Sequence, residues 1–229
     1  MTVNQQHEHA PTSNGARERI LLRREDTVNG NASLTLIELP AGGRYEVPAG
    51  DEEICYYLLS GRGSLAFIRQ EHESRWVIDP DTAAWVAAGI PHALVNAGEG
   101  PFRCLAARCR SSNVGTRGRR IAPRATWPVH ELVGFVSRTI FSPADLTAAG
   151  ASRAIGVDLE TLTPSSVLPT HTHEEEILYL LRGKGFVRTA EGDVPVEPGS
   201  VVYTGPFVPH SVHNTEDDNF QYLVWEFRP

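Results

Sequence analysis

Part of this chain is written twice, and that repetition limits the folds open to it. Ile54 to Gly63 (ICYYLLSGRG) returns as Ile177 to Gly185 (ILYLLRGKG), one residue shorter, and Gly89 to Asn96 (GIPHALVN) returns as Phe207 to Asn214 (FVPHSVHN). The offset is 118 residues from His92 to His210 and 122 from Gly61 to Gly183, so both halves keep the same order of segments. A repeat on this scale means two copies of one supersecondary unit.

The unit reads as β structure. Ala32–Leu39, Ile54–Leu59, Ser64–Arg69, Ala84–Ala87 and Pro101–Ala107 are rich in aliphatic and aromatic residues and are divided by Gly, Pro, Asn and Asp turns. That spacing predicts an all-β sandwich or barrel. Asn29-Gly30, Pro40 to Gly43 and Ser60 to Gly63 supply the positive φ that strand reversals need. We therefore expect two tandem barrels, with a mobile polar leader over residues 1–17, the first barrel over 18–110, a connector over 111–130 and the second barrel over 131–229. The basic cluster from Arg108 to Arg124 is read as part of that connector, lying over the surface. After it, Ser142, Pro143 and Asp145 have the order of an N-cap, a first-turn proline and an acidic third residue, which predicts a short helix to about Ala149.

The chemistry concentrates in the second copy. Alternate side chains of a strand share a face, so His171 and His173 would point the same way, about 7 Å apart, and can close on one ion. His210, after a proline-rich turn, offers a third imidazole. Among the three glutamates that follow His173, Glu174 and Glu176 share one strand face and Glu175 the other. Three neutral imidazoles and a carboxylate suit one divalent transition metal per chain, Fe, Mn, Co, Ni, Cu or Zn, and leave positions for substrate or water. His7 and His9 in the leader lack a third ligand. His213 falls on the opposite strand face from His210, and Tyr179, Phe186, Tyr203, Phe207, Tyr222 and Trp225 are expected mainly in the core.

With both segments in hand, the chain resembles the cupin superfamily, and specifically a two-barrel bicupin, over nearly all its length after Glu18. His171, His173, Glu176 and Gly183 match the family's first motif; Pro206, Pro209, His210 and Asn214 match the second. The gap from His173 to Glu176 is about one residue shorter than usual, which keeps Glu175 as the alternative carboxylate. The resemblance implies two β jelly-rolls with a metal held in the second by His171, His173, Glu176 and His210. The first copy departs from the motif: no histidine lies between His9 and His72, residues within Glu46 to Asp51 replace the paired imidazoles, and only Glu53 and His92 remain as candidates. That barrel is expected to be degenerate and metal-free.

Such a site implies a metal-dependent enzyme on a small organic molecule, with dioxygenase-like chemistry favoured, isomerase, decarboxylase or aminohydrolase chemistry next, and a non-catalytic binding protein as the contrasting class. Glu176 or a neighbouring carboxylate would move the proton. A net charge of -7 argues against a nucleic-acid partner. No run of 18 apolar residues is present, and the three cysteines, Cys55, Cys104 and Cys109, have neither disulfide-framework nor zinc spacing, so a cytoplasmic protein without membrane contact, monomer or homodimer, is expected.

Overall fold

The structure, a computed structural model, describes residues 2–4, 9–11, 15–69, 72–112 and 118–228. His7 lies outside them. Each half forms a larger and a smaller antiparallel sheet laid face to face. In the first half the seven-stranded sheet runs Arg119–Pro123, Thr82–Val86, Glu52–Ser60, Phe102–Arg110, Ala32–Leu39, Arg17–Leu22, His9–Pro11. Arg44–Val47, His92–Asn96, Gly63–Arg69 and His72–Ile78 close over it. In the second half the order is Thr2–Asn4, Val201–Thr204, Glu175–Arg182, Phe220–Phe227, Ala154–Leu162, Phe135–Phe141, Val129–Leu132, closed by Val167–His171, His210–Asn214, Gly185–Thr189 and Gly192–Val196. The expected short strands and turns are in place, with Asn29, Gly30, Gly42 and Gly61 at positive φ.

Strand parity explains how the halves join. Along Glu175–Arg182, the alternate residues Leu178 and Leu180 enter the barrel with Val202, Val212, Phe220 and Val224. Ile177 and Tyr179 face the other way, into a core shared with Leu34, Leu36, Cys55, Tyr57 and Trp85 of the first half and Leu159 and Trp225 of the second. The large sheets thus pack back to back, and neither half buries both its faces without the other. Two carboxylates lie along this seam. Glu53 accepts from the backbone amides of Ser152 (2.6 Å) and Ala154 (3.3 Å) and from the hydroxyls of Ser152 and Ser111. Glu175 accepts from the Tyr203 hydroxyl (2.5 Å), which in turn accepts from the Val28 amide at 2.8 Å.

Two segments differ from expectation. The connector is built into the structure: Arg119–Pro123 extends the first sheet, and Trp127 is 5% exposed with its indole N–H donated to the Ala122 carbonyl at 3.0 Å. Its Ile121, Ala122 and Trp127 have apolar area to bury, which the arginine count concealed. Thr2–Asn4 of the leader pairs with Val201–Tyr203, across the seam from its own half. Arg108 is no connector residue; it sits in Phe102–Arg110 with a nearly buried side chain. The short helix spans Pro143–Ala149, with Ser142 and Asp145 forming a reciprocal capping box and Gly150 closing it in the left-handed region. Cys55, Cys104 and Cys109 are free and buried. Among the described residues no helix is long and apolar enough to cross a membrane.

Because the core is common to both halves, Leu159→Ala should cost about 2–5 kcal/mol. In urea the variant should still unfold in one transition seen by both Trp85 and Trp225, whereas two resolved transitions would contradict a shared core.

Candidate metal centre

Three imidazoles meet at one end of the second barrel. His171 closes the strand Val167–His171 and lies opposite His210 on the neighbouring strand. His173 does not continue that strand: the extended segment stops at His171, and His173 reaches the site from the turn into Glu175–Arg182. The expected same-face pairing along one strand is therefore replaced by a strand end and a turn. The Phe207 amide, donated to the His173 carbonyl at 2.8 Å, pins that turn to the loop before His210. The rings sit 4.4 Å (His171–His210), 4.9 Å (His171–His173) and 5.8 Å (His173–His210) apart between centroids. One nitrogen from each falls within 4.8 Å of the others.

In every ring the outer nitrogen already has a partner. Nδ1 of His171 faces the Pro169 carbonyl at 2.7 Å and Nδ1 of His210 faces the Val208 carbonyl at 3.0 Å. A carbonyl only accepts, so both Nδ1 atoms carry the proton, and Nε2 of the neutral ring is left with a lone pair. Nδ1 of His173 lies 2.9 Å from Glu226 Oε1, so whenever this ring is neutral its proton too sits on Nδ1. Holding the far nitrogen in this way fixes the tautomer and orientation of a metal-ligating histidine. His210 is 1% exposed, and its Nε2 has no hydrogen bond although Glu176 Oε2 is 3.0 Å away. A lone pair aimed at a carboxylate repels it unless a proton or a cation stands between them. The same oxygen is 4.0 Å from His173 Nε2. The donor set therefore fits a divalent transition metal.

The three glutamates separate as strand parity requires. Glu176 is 2% exposed, faces the imidazoles, and accepts from the Thr204 hydroxyl at 3.1 Å. Its neighbours hold it ionised against burial: the carboxyl lies below its ordinary pKa because His210, followed by His173 and His171, outweighs desolvation. Glu175 points into the seam and takes no part.

Sequence reading missed a second group of acids. Asp158, Glu160 and Glu226 face the same interior as Glu176, on the adjoining strands Ala154–Leu162 and Phe220–Phe227. Burial raises Glu160 to about 8, opposed by the Tyr222 hydroxyl and reinforced by the charges of Glu176 and Asp158. Burial likewise raises Asp158 to about 6, opposed by Thr139 and Ser137. Their signal in the sequence is the alternation Asp158, Glu160, Leu162, which only the register with Val224, Tyr222 and Phe220 makes meaningful.

The first barrel supplies an internal comparison. Its His92 Nδ1 faces the Ile90 carbonyl at 2.7 Å, as His210 does Val208, but its Nε2 meets the Tyr56 hydroxyl at 2.8 Å. Val47 lies opposite His92 where His171 lies opposite His210. Arg108 pairs with Ile54 where Glu226 pairs with Glu176, so Ile54 occupies the position of Glu176. Glu53 is thus the counterpart of Glu175, and its candidacy as a ligand is corrected: it points into the seam, away from His92. His213 lies outside the barrel, stacked on Phe186 at 4.3 Å and bonded to Ser211.

In the metal-free protein the Glu226 contact is the main cause lifting His173 to about 9. A raised folded pKa contributes stability that is complete below the ordinary value of 6.5 and is lost as pH rises through about 9. Proton NMR of metal-free protein should show His173 titrating near 9, and Glu226→Gln should return it towards 6.5; an unchanged titration would place the cause elsewhere.

Comparison with known proteins gives this geometry a context. Residues 158–226 match the model of the cupin domain. A glucose-6-phosphate isomerase of Thermococcus onnurineus is 45% identical over 54 residues, which is 21% of this chain and 29% of that protein. An oxalate-binding protein of Thermotoga maritima is 36% identical over 65 residues, 28% of this chain and 54% of that one. The chain thus spans little more than half, at most, of these curated relatives. A point mutant of Bacillus subtilis oxalate decarboxylase superposes with a TM-score of 0.79 at 14% identity, covering 99% of this chain and 76% of that one. The second barrel thus matches the cupin domain in sequence, and the chain as a whole shares its fold with oxalate decarboxylase, a barrel of this kind in each half.

Proposed function

We propose that the chain is a metal-dependent enzyme acting on a small organic molecule at the mouth of its second barrel. In this reading His171, His173, His210 and Glu176 hold one divalent metal, and the barrels span 18–110 and 131–229, the first of them metal-free. The observation that supports it is the gathering of one nitrogen from each of three imidazoles within 4.8 Å, with the buried Glu176 carboxylate 3.0 Å from His210 Nε2 and 4.0 Å from His173 Nε2. Mn is the first ion to try, because the structural relative oxalate decarboxylase is described with Mn(II) centres.

When bound, such an ion supplies Lewis-acid polarisation of a substrate oxygen, and with Fe or Cu it also supplies electrons for O2 chemistry. The protein's own part is clearer. The Pro169 and Val208 carbonyls and Glu226 keep the imidazoles oriented, while Leu178, Val212 and Val224 close the barrel beneath and exclude water. The finer reading we carry forward is dioxygenase-like chemistry on an enol or catechol. A second reading, proton transfer as in an isomerase, decarboxylase or aminohydrolase, is favoured by Glu160, which keeps its proton near neutrality and can deliver it to a carbanion or leaving group. Glu176 is the alternative proton carrier.

Metal analysis of protein purified without chelator, followed by O2 consumption on a panel of enols and catechols, tests the proposal. His171→Ala and His210→Ala should each abolish metal retention while His92→Ala leaves it unchanged. O2 uptake with turnover supports the dioxygenase. Turnover without O2 uptake supports proton transfer. Metal retention without turnover leaves a binding protein, and failure to take up micromolar metal overturns the reading.

A further inference from the structure

The two halves can be compared residue by residue. Inside the barrels their registers put Thr35 and Ile37 at the places of Asp158 and Glu160, and Arg108, which lies 3.8 Å from Glu52 and 3.9 Å from Glu18, at the place of Glu226. On the seam face they put Tyr57 at the place of Tyr179, since Tyr57 pairs with Ala83 and Tyr179 with Val201. The turns before those partners match as well: Asp79-Pro80-Asp81-Thr82 corresponds to Glu197-Pro198-Gly199-Ser200. The Asp81 and Gly199 amides are donated to the carbonyls of Leu58 and Leu180 at 3.0 and 2.8 Å, and both residues take the left-handed region, at φ 61° and 93°.

One difference separates the two turns. Tyr57 donates its hydroxyl to Asp81 Oδ1 at 2.7 Å, Asp81 pairs with Arg124, and Trp127 lies against the Tyr57 ring. The first half thus sets a tyrosine, a carboxylate and an arginine in series from its own chain. In the second half glycine replaces the aspartate, and a Cβ built on Gly199 meets nothing within 4 Å. Tyr179 is 5% exposed, yet among the described residues its hydroxyl has no acceptor.

This position borders a cleft of about 630 Å³ at the seam, the size of a small-molecule site, lined by Tyr179 and Gly199, by half-buried Leu59 and Leu181, and by Arg19 and Arg103. Burial raises the pKa of the Tyr179 hydroxyl, and the guanidiniums of Arg103 and Arg19 oppose it. Arg103 is held by Glu38 at 3.0 Å, and Glu197 at the rim sits 3.8 Å from Lys184. Arg19 Nε is buried without a hydrogen bond. Two donors at one cleft therefore lack an acceptor, and burying a donor unpaired is costly.

We propose that this cleft binds a small organic carboxylate, which takes the part of the Asp81 side chain by accepting from the Tyr179 hydroxyl and pairing with Arg19, while its apolar portion lies against Leu59 and Leu181. The site is on the opposite face of Glu175–Arg182 from Glu176, so its occupancy does not depend on the metal.

The test is calorimetric titration of the metal-free full chain with isovalerate, its neutral amide isovaleramide and inorganic phosphate. Isovalerate should bind more tightly than either of the others. Tyr179→Phe and Arg19→Gln should each weaken it about tenfold, roughly the loss of one hydrogen bond to a charged group. Gly199→Asp, which restores the carboxylate of the other half, should abolish isovalerate binding and leave the melting temperature equal or higher; should it fail to fold, the two milder variants decide. His171→Ala should leave isovalerate affinity unchanged, which separates failure here from failure of the metal reading. No binding of millimolar isovalerate, phosphate or the amide binding more tightly, or isovalerate affinity unaltered in folded Gly199→Asp would overturn the proposal.

Discussion

The site depends on a commitment made outside it. Each of the three imidazoles has its Nδ1 proton taken by an acceptor, two by backbone carbonyls two residues upstream and one by Glu226, so each, when neutral, presents its Nε2 lone pair to the space they share. Three lone pairs and a carboxylate pointing at one another are mutually unfavourable without a positive charge between them. The rigid frame of paired strands keeps them from turning away, and that frame stores the ligand geometry in advance.

Duplication lets the contributions of fold and site be separated. Both halves keep a histidine whose Nδ1 faces a carbonyl two residues back, and both keep a seam glutamate that reaches across to the other half. These shared features belong to the architecture. The halves part at the barrel mouth, where Val47, Ile54, Thr35, Ile37 and Arg108 in the first stand for His171, Glu176, Asp158, Glu160 and Glu226 in the second. In the first barrel the surviving imidazole is absorbed into a hydrogen bond with Tyr56 and the mouth is internally neutralised by Arg108. The second gathers three imidazoles and four carboxyl side chains where the first has one imidazole, the arrangement expected of a binding site rather than of a core.

The back-to-back packing links the halves mechanically. One core runs through both large sheets, and arms of chain near residues 2–4 and 119–132 extend the sheets at the seam. A first barrel with no evident ligand set still shapes the second, because Ile177, Tyr179 and Trp225 take their positions from its Leu34, Tyr57 and Trp85. Those strands alternate, so anchoring one face fixes where Glu176, Leu178 and Val224 point on the other.

Much of this was legible in the chain itself. The repeat, the alternation within short apolar segments and the turn residues determined an all-β protein of two like barrels, and the histidine spacing marked the second barrel as the chemical half. Those are local properties, set by strand period, turn conformation and ligand chemistry, and they survive without knowledge of what packs on what. Only the tertiary structure decided which glutamate turns inward, that Glu53 corresponds to Glu175 and not to Glu176, that His173 arrives from a turn, and that Asp158, Glu160 and Glu226 gather above the imidazoles. Each of these depends on the register between strands distant in sequence, where a shift of a single residue exchanges the inner and outer faces, and one strand read alone carries no record of that register.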